Sequence, residues 1–330
     1  MSYPAPDRAC WAVIGASGFV GSAVASAARS CGIEVREVPA PRLHTFATDV
    51  AGLLGEARTH DVVAVLADVL KGCEVVINAA GLATPGASES GALRGANTLL
   101  PAVLALAARA GGASRFIQLS SAAVQGNRRV LDESPEVAPF SAYSRSKARG
   151  EQVLTALSSS RGGTDAVPEI CILRATSVQG ANRPTTARLV AFARSPLASV
   201  AAPGTARTPV VSVAALAELV VTLASHSGSI PGIVLQPWEG MTVRSVLECA
   251  GGKPVVLPAW FCRFAVRSGF ALSTVLGGRL HGAVRRVELL WFGQRQEPGW
   301  AESQQWTPAM AGTTGIRDVL ARTPGSRGQA

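Results

Sequence analysis

Tyr143 and Lys147 stand four residues apart in Tyr143-Ser144-Arg145-Ser146-Lys147. On a helix that spacing places both side chains on one face, about a turn from each other. An ammonium beside a phenol favours the phenolate, drawing the Tyr pKa toward working pH so that the hydroxyl can exchange a proton. Alone, the spacing is common by chance and usually means a half-buried Tyr beside a solvated Lys. Two upstream features give it meaning. Gly15-Ala16-Ser17-Gly18-Phe19-Val20-Gly21 sits where a buried strand gives way to a helix, and Ser120-Ser121 closes a later strand. A Gly-x-x-Gly-x-x-Gly turn lets the backbone approach a pyrophosphate while the helix start supplies unpaired N–H groups and a positive dipole end. The three features, in that order, read as a site for hydride transfer involving a bound dinucleotide.

Such a site needs a parallel sheet beneath it, and the remaining pattern supplies one. Apolar runs bounded by Gly and Pro alternate with helical periodicity, as in stacked βαβ units. Strands are expected at Cys10–Ile14, Ile33–Val38, Glu74–Ala79, Arg115–Leu119 and Ile170–Arg174. Helices are expected at Phe19–Ser30, Leu99–Ala110 and Ala142–Leu157, the last carrying Tyr143 and Lys147. Residues 46–70 look mostly helical and leave a further strand before Glu74 unplaced. The expected fold class is α/β, a Rossmann-type doubly wound parallel sheet with a smaller, mostly helical C-terminal substrate-binding region. We divide the chain into a dinucleotide-binding domain at 8–180, a substrate-binding region at 181–321 of which 210–235 returns to the main sheet, and a tail at 322–330.

With 48% hydrophobic and only 16% charged residues, the 330-residue chain has a sizeable core and is not disordered. Met1–Arg8 lacks a basic-then-apolar leader pattern, and the longest apolar run, Gly95–Ala108, is short for a membrane span and holds Asn97 and Pro101. A cytoplasmic location is expected. The six cysteines lack any Cys-x-x-Cys pair and read as small core hydrophobes, and the four histidines lack metal-ligand spacing, so no metal is expected. The net charge of +9 is uneven: residues 1–180 hold 16 basic against 15 acidic side chains, residues 181–330 hold 15 against 7. The +8 of the second half suits an anionic small ligand or an anionic membrane. Nucleic acid is not expected, because the charges are dispersed and carry no reader motif.

The second strand ends without the carboxylate that would bind the ribose 2′-hydroxyl of NAD. Pro39 fills that slot and Arg42 follows, which favours the 2′-phosphate of NADP over NAD.

These pieces together resemble an extended short-chain dehydrogenase/reductase of the NAD-dependent epimerase/dehydratase family. The resemblance rests on Gly15–Gly21, Asn78-Ala79-Ala80-Gly81, Asn97, and the run from Phe116 to Gly126 with Ser120-Ser121-Ala122-Ala123-Val124-Gln125-Gly126. Pro139-Phe140-Ser141-Ala142-Tyr143 through Lys147, Glu151 and Leu173-Arg174 complete it. It implies Tyr143 as acid/base, Lys147 as its activator and ribose ligand, and Ser121 rather than Ser120 as the hydroxyl on the substrate oxygen. Asn97 would serve a proton relay or cap its helix. The cofactor would lie on Gly15, Ser17, Gly18, Phe19, Val20, Gly21, Ala79, Ala80 and Gly81, with Arg42, Tyr143 and Lys147.

Relatives of this length mostly bind nucleotide-diphosphate sugars, which implies a small-molecule substrate of that class held by Arg207 and Arg183, with Arg188 a lesser candidate. The reaction would be a reduction, oxidation or epimerisation in surface-polysaccharide or glycosylated-metabolite synthesis. A hydrophobic alcohol or ketone is the alternative substrate, and a non-catalytic dinucleotide sensor the remaining reading. A homodimer is common in the resembling family. Gln125, and Thr176 with Val178-Gln179, depart from the family's sugar-pocket pattern. Finally, Trp260–Leu276 reads as an apolar helix bearing Arg263 and Arg267. It is expected to pack on its own domain, with peripheral contact to an anionic membrane the less favoured alternative.

Overall fold

A computed structural model of the chain describes residues 9–83, 88–159, 168–307 and 315–324. The expectations for Met1–Arg8 and for the tail beyond 324 lie outside the described residues.

Two compact units form. The first joins residues 1–124, 141–175 and 217–234, and the second joins 125–140, 176–216 and 235–330. The first unit is built on a six-stranded sheet made of β1 (Cys10–Ile14), β2 (Glu34–Val38), β3 (Val75–Asn78), β4 (Arg115–Ser121), β5 (Glu169–Ala175) and β6 (Ile233–Leu235). Their order across the sheet is β6-β5-β4-β3-β1-β2, and the ladders linking β2 through β5 are parallel. Strands covered on both faces read as continuous apolar runs, and all five residues of β1 are buried.

No strand forms between Val38 and Val75. That stretch holds α2 (Val50–Thr59) and α3 (Val62–Leu70), preceded by α1 (Phe19–Ser30) after β1. Asp49 starts α2 by accepting from the Gly52 N–H at 2.9 Å. The unplaced strand of the sequence reading is therefore absent, and β2 becomes a sheet edge. The 210–235 segment returns only in part. Val210–Ser212 pairs with Ser177–Gln179 in a separate ribbon, while β6 alone joins the main sheet.

Gly91–Ala110 runs as one helical stretch of 20 residues, long and apolar enough to cross a membrane by length and composition. The sequence reading saw only a shorter run here. Leu99, Leu100, Ala102, Val103 and Leu104 are buried and pack with β1, β4 and the helix carrying Tyr143. It is a core helix of the first unit. Its final segment, α4 (Leu100–Ala110), leads into β4, and α5 (Ala142–Ser159) runs between β4 and β5.

The second unit has its own core, with Val190, Val200, Met241, Leu247, Ile316 and Leu320 buried together. Around it lie three two-stranded ribbons and helices including α6 (Ala259–Val275) and α7 (His281–Phe292). Not every cysteine is a core hydrophobe: Cys31 is exposed at the end of α1 and Cys249 is half-buried, while the other four are buried.

Candidate active site

The chemistry-bearing residues of the first unit gather at the carboxyl ends of β1, β3 and β4, where open α/β sheets bind their ligands. Gly15 leaves β1 at φ +78°, a left-handed conformation that favours glycine. Its N–H donates to the Val38 carbonyl at 3.1 Å, which draws the end of β2, and hence Pro39, to the turn. Gly18 donates to the Gly15 carbonyl at 2.9 Å and begins α1 with no side-chain cap. A Cβ on Gly21 would collide with the Gly15 carbonyl, so the first turn of α1 closes tightly on the loop. This helix start, with glycine at its N-cap and no side chain capping it, fits a pyrophosphate. Ser17 and Gly18 are exposed, Phe19 and Val20 half-buried. Arg42 is exposed four residues beyond β2.

Beside this loop lies the exit from β3. Ala79 N–H donates to the Ile14 carbonyl at 3.0 Å, and a Cβ on Gly15 would stand 3.1 Å from Ala80. Gly81 follows at φ +153°, and a Cβ there would lie 2.7 Å from Asn97 Oδ1 and 3.0 Å from Lys147 Nζ. The glycine thus keeps the way to Lys147 clear of side chain.

Asn97 is buried in a π-helical turn, Gly95–Leu99. Its Nδ2 donates to the Leu82 carbonyl and to Ser146 Oγ, both at 3.0 Å, and its Oδ1 accepts from the Leu82 N–H at 3.0 Å. It does not cap its helix, because Ser90 does so by accepting from the Leu93 N–H. Asn97 instead ties the loop after β3 to α5. Gly150 lets α5 approach that turn, since a Cβ there would collide with the Asn97 carbonyl.

α5 presents Tyr143, half-buried, and Lys147, buried, one turn apart. Lys147 Nζ donates to the Leu119 carbonyl of β4 at 3.0 Å. Burial lowers its pKa to about 8, and the nearby Glu151 carboxylate partly opposes that fall. Between about 8 and its unfolded value of 10.5, the unfolded chain therefore binds a proton that the folded chain lacks. Over that window this group makes the cofactor-free protein more stable as pH rises. Chemical denaturation at the two ends of the window should show this gain, and Lys147→Met should flatten it. An unchanged pH slope in the variant would refute the assignment.

The two serines at the end of β4 differ. Ser120 is buried and donates to Glu151 Oε1 at 2.5 Å, and that carboxylate also pairs with the fully buried Arg174 of β5 at 2.8 Å. Ser121 is half-buried and accepts from the Ala123 N–H at 3.2 Å. Among the described residues no acceptor takes the Ser121 hydroxyl proton.

Sequence reasoning missed a polar strut below these groups. Asn78 Nδ2 donates to Gln118 Oε1 at 2.8 Å, Gln118 Nε2 donates to the Leu119 carbonyl at 2.8 Å, and Asn78 Oδ1 accepts from the Ala80 N–H at 3.0 Å. A Gln inside the apolar run Phe116-Ile117-Gln118-Leu119 was the available signal, since a buried amide must find partners.

In the second unit, Arg183 is half-buried and donates to the Val178 carbonyl, and Arg188 is exposed. Arg207 is exposed, with its guanidinium 5.2 Å from the centre of the Trp238 ring. Gln125, which departs from the family pattern, clamps its own loop. Its Nε2 donates to Asp132 Oδ1 at 2.7 Å and its Oε1 accepts from the Asp132 N–H at 3.0 Å. Gln179 accepts from the Thr186 hydroxyl at 2.9 Å.

Parallel sheet, glycine turn and Tyr-Lys helix define a dinucleotide-dependent α/β enzyme. The family model of the NAD dependent epimerase/dehydratase family matches residues 11–234, and the chain belongs to that family. The family is one of NAD-dependent enzymes. No curated protein matches the sequence significantly. Among solved structures, MoeE5 in complex with UDP-glucuronic acid and NAD is similar at 20% identity and a TM-score of 0.61, covering 96% of this chain and 97% of that one. UDP-glucuronic acid 4-epimerase from Bacillus cereus in complex with NAD is similar at 17% identity and a TM-score of 0.60, covering 95% and 97%. The dTDP-4-dehydrorhamnose reductase from Bacillus anthracis in complex with NADP is similar at 17% identity and a TM-score of 0.55, covering 78% and 85%. At these identities the likeness concerns the fold.

Proposed function

We propose that this enzyme is an oxidoreductase or epimerase of a nucleotide-diphosphate sugar, with Tyr143 as acid/base, Lys147 as its activator and Ser121 orienting the substrate oxygen. The observation that carries the reading is the division of labour at the end of β4. Ser120 is consumed by Glu151, while Ser121 keeps a proton to donate and Lys147 is anchored to the same strand through Leu119.

The dinucleotide would rest on Gly15, Ser17, Gly18, Phe19, Val20 and Gly21 at the start of α1, and on Ala79, Ala80 and Gly81 after β3. When bound, its nicotinamide accepts or returns a hydride. The chain's own work is on the oxygen of the carbon that changes oxidation state. Ser121 donates a hydrogen bond to that oxygen, and Tyr143 takes or gives its proton. Lys147, charged below about pH 8, keeps the Tyr143 proton labile. Asn97 has its amide committed to Leu82 and Ser146, so we assign it to holding α5 in place.

A sugar nucleotide is supported by the +8 charge of residues 181–330 and by the UDP-glucuronic acid bound in the MoeE5 structure and in a second structure of the B. cereus epimerase. Arg207 is the candidate for the diphosphate. Arg183 is the weaker one, because it already serves the Val178 carbonyl. NADP is favoured over NAD by Pro39 and Arg42 at the end of β2.

A thermal-shift screen of UDP-, dTDP- and GDP-sugars, each with NADP or NAD, tests the reading. A ligand held at 100 times its Kd stabilises by about 2.7 kcal/mol, a shift of several degrees. Stabilisation by one sugar nucleotide class is expected, with NADP the stronger cofactor. A strong NAD preference would overturn the cofactor choice. No response to any sugar nucleotide would move the substrate to a hydrophobic alcohol or ketone.

A further inference from the structure

Helix α6 carries its apolar face outward. The inward side holds Cys262, Val266 and Ser273, all buried, and Gly269, where a Cβ would stand 3.0 Å from the Val284 side chain of α7. The opposite side presents Trp260, Phe264 and Val275 at 70%, 66% and 83% exposure. Phe261 lies edge-on to Trp260, their ring centres 6.1 Å apart. Exposed apolar residues continue on both sides in sequence, with Val255 and Val256 before the helix and Leu276 and Leu280 after it. A surface helix ordinarily buries this stripe, so a contiguous apolar face left in water marks a contact surface.

The charges carried by this stretch of chain have one sign. Lys253, Arg263, Arg267, Arg279 and Arg286 are exposed, and no Asp or Glu occurs between Glu248 and Glu288. The Arg263 guanidinium rests over the Phe292 ring at 5.9 Å, on the flank of the helix. A second copy docking face to face would set these cations against their own images, which is unfavourable. An anionic lipid surface matches both features, because aromatic and aliphatic side chains enter the acyl boundary while guanidinium groups meet headgroup phosphates. Among the described residues the only helix long and apolar enough to cross a bilayer is Gly91–Ala110, so α6 would lie along the interface instead of spanning it.

We propose that α6 docks the enzyme onto an anionic membrane surface, with Trp260, Phe264 and Val275 inserted and Arg263 and Arg267 on the headgroups. This reverses the preference drawn from sequence, and it does not depend on the substrate assignment. The test is co-sedimentation of the full chain with phosphatidylcholine vesicles containing phosphatidylglycerol, against vesicles of phosphatidylcholine alone. Wild type should pellet with the anionic vesicles and be released by salt. Trp260→Ser with Phe264→Ser, and separately Arg263→Glu with Arg267→Glu, should each lower the partition coefficient by about tenfold or more while leaving Tm unchanged. The proposal is overturned if wild type ignores anionic vesicles or if both variants bind as wild type does. It is also overturned if the apolar variant instead turns a wild-type dimer into a monomer in gel filtration.

Discussion

Tyr143→Phe is expected to lower kcat by about 10² or more while cofactor affinity stays close to wild type. The substitution removes one hydroxyl and leaves the ring that α5 holds half-buried. What goes is the group proposed to exchange the proton, and the contribution of a positioned acid/base is of this size. The cradle proposed for the cofactor is left in place, because it consists mainly of the glycine turn after β1 and the backbone after β3. Steady-state kinetics with the sugar nucleotide that stabilises the protein, together with a fluorescence titration of the reduced cofactor, separates the two effects. A variant with near-wild-type turnover would remove Tyr143 from the chemistry. One that loses cofactor binding as well would assign it to the scaffold.

Glu151→Ala is expected to cost about 3–5 kcal/mol of folding stability. Arg174 is fully buried, and Glu151 is the carboxylate it meets at 2.8 Å. Removing the acid leaves a buried guanidinium without its counter-charge and Ser120 without the acceptor it reaches at 2.5 Å. Replacing both partners by apolar residues of similar size, Glu151→Leu with Arg174→Met, should cost much less, since no charge is then stranded. Urea denaturation of the three proteins gives the comparison. If the double variant is as unstable as Glu151→Ala, the penalty comes from lost packing and not from an unpaired charge. The same carboxylate favours the charged form of Lys147, so the pair links the stability of α5 to the protonation of the proposed site.

Local chemistry made part of this molecule readable in advance. The turn from Gly15 to Gly21 and the limits of β1 and α1 follow from backbone requirements that few residues meet, so sequence alone places them. Residues 46–70 read as mostly helical and do form α2 and α3, but the absence of a strand between Val38 and Val75 was not readable, because a short apolar run in a connection suits a strand or a packed helix. The role of Asn97 also escaped, since its partners Leu82 and Ser146 are remote in the chain and meet it only through the fold. In α6 the pattern misleads outright. Hydrophobicity would bury Trp260 and Phe264, yet the fold buries Cys262, Val266 and Ser273. A helix with apolar residues on two faces does not declare which one the domain uses.

The sheet that stops at its second strand has a consequence of its own. Among the described residues no strand pairs with the outer side of β2, whose backbone groups form the kind of template on which foreign chains add themselves. Its sequence, Glu-Val-Arg-Glu-Val, answers this with ionised side chains. Glu37 is held by Arg29 at 2.6 Å, and Arg36 reaches across to the Val69 and Lys71 carbonyls at the end of α3. In a crowded solution the molecule therefore shows its neighbours a hydrated, charge-studded border, and the shortened sheet does not become a seed for accretion.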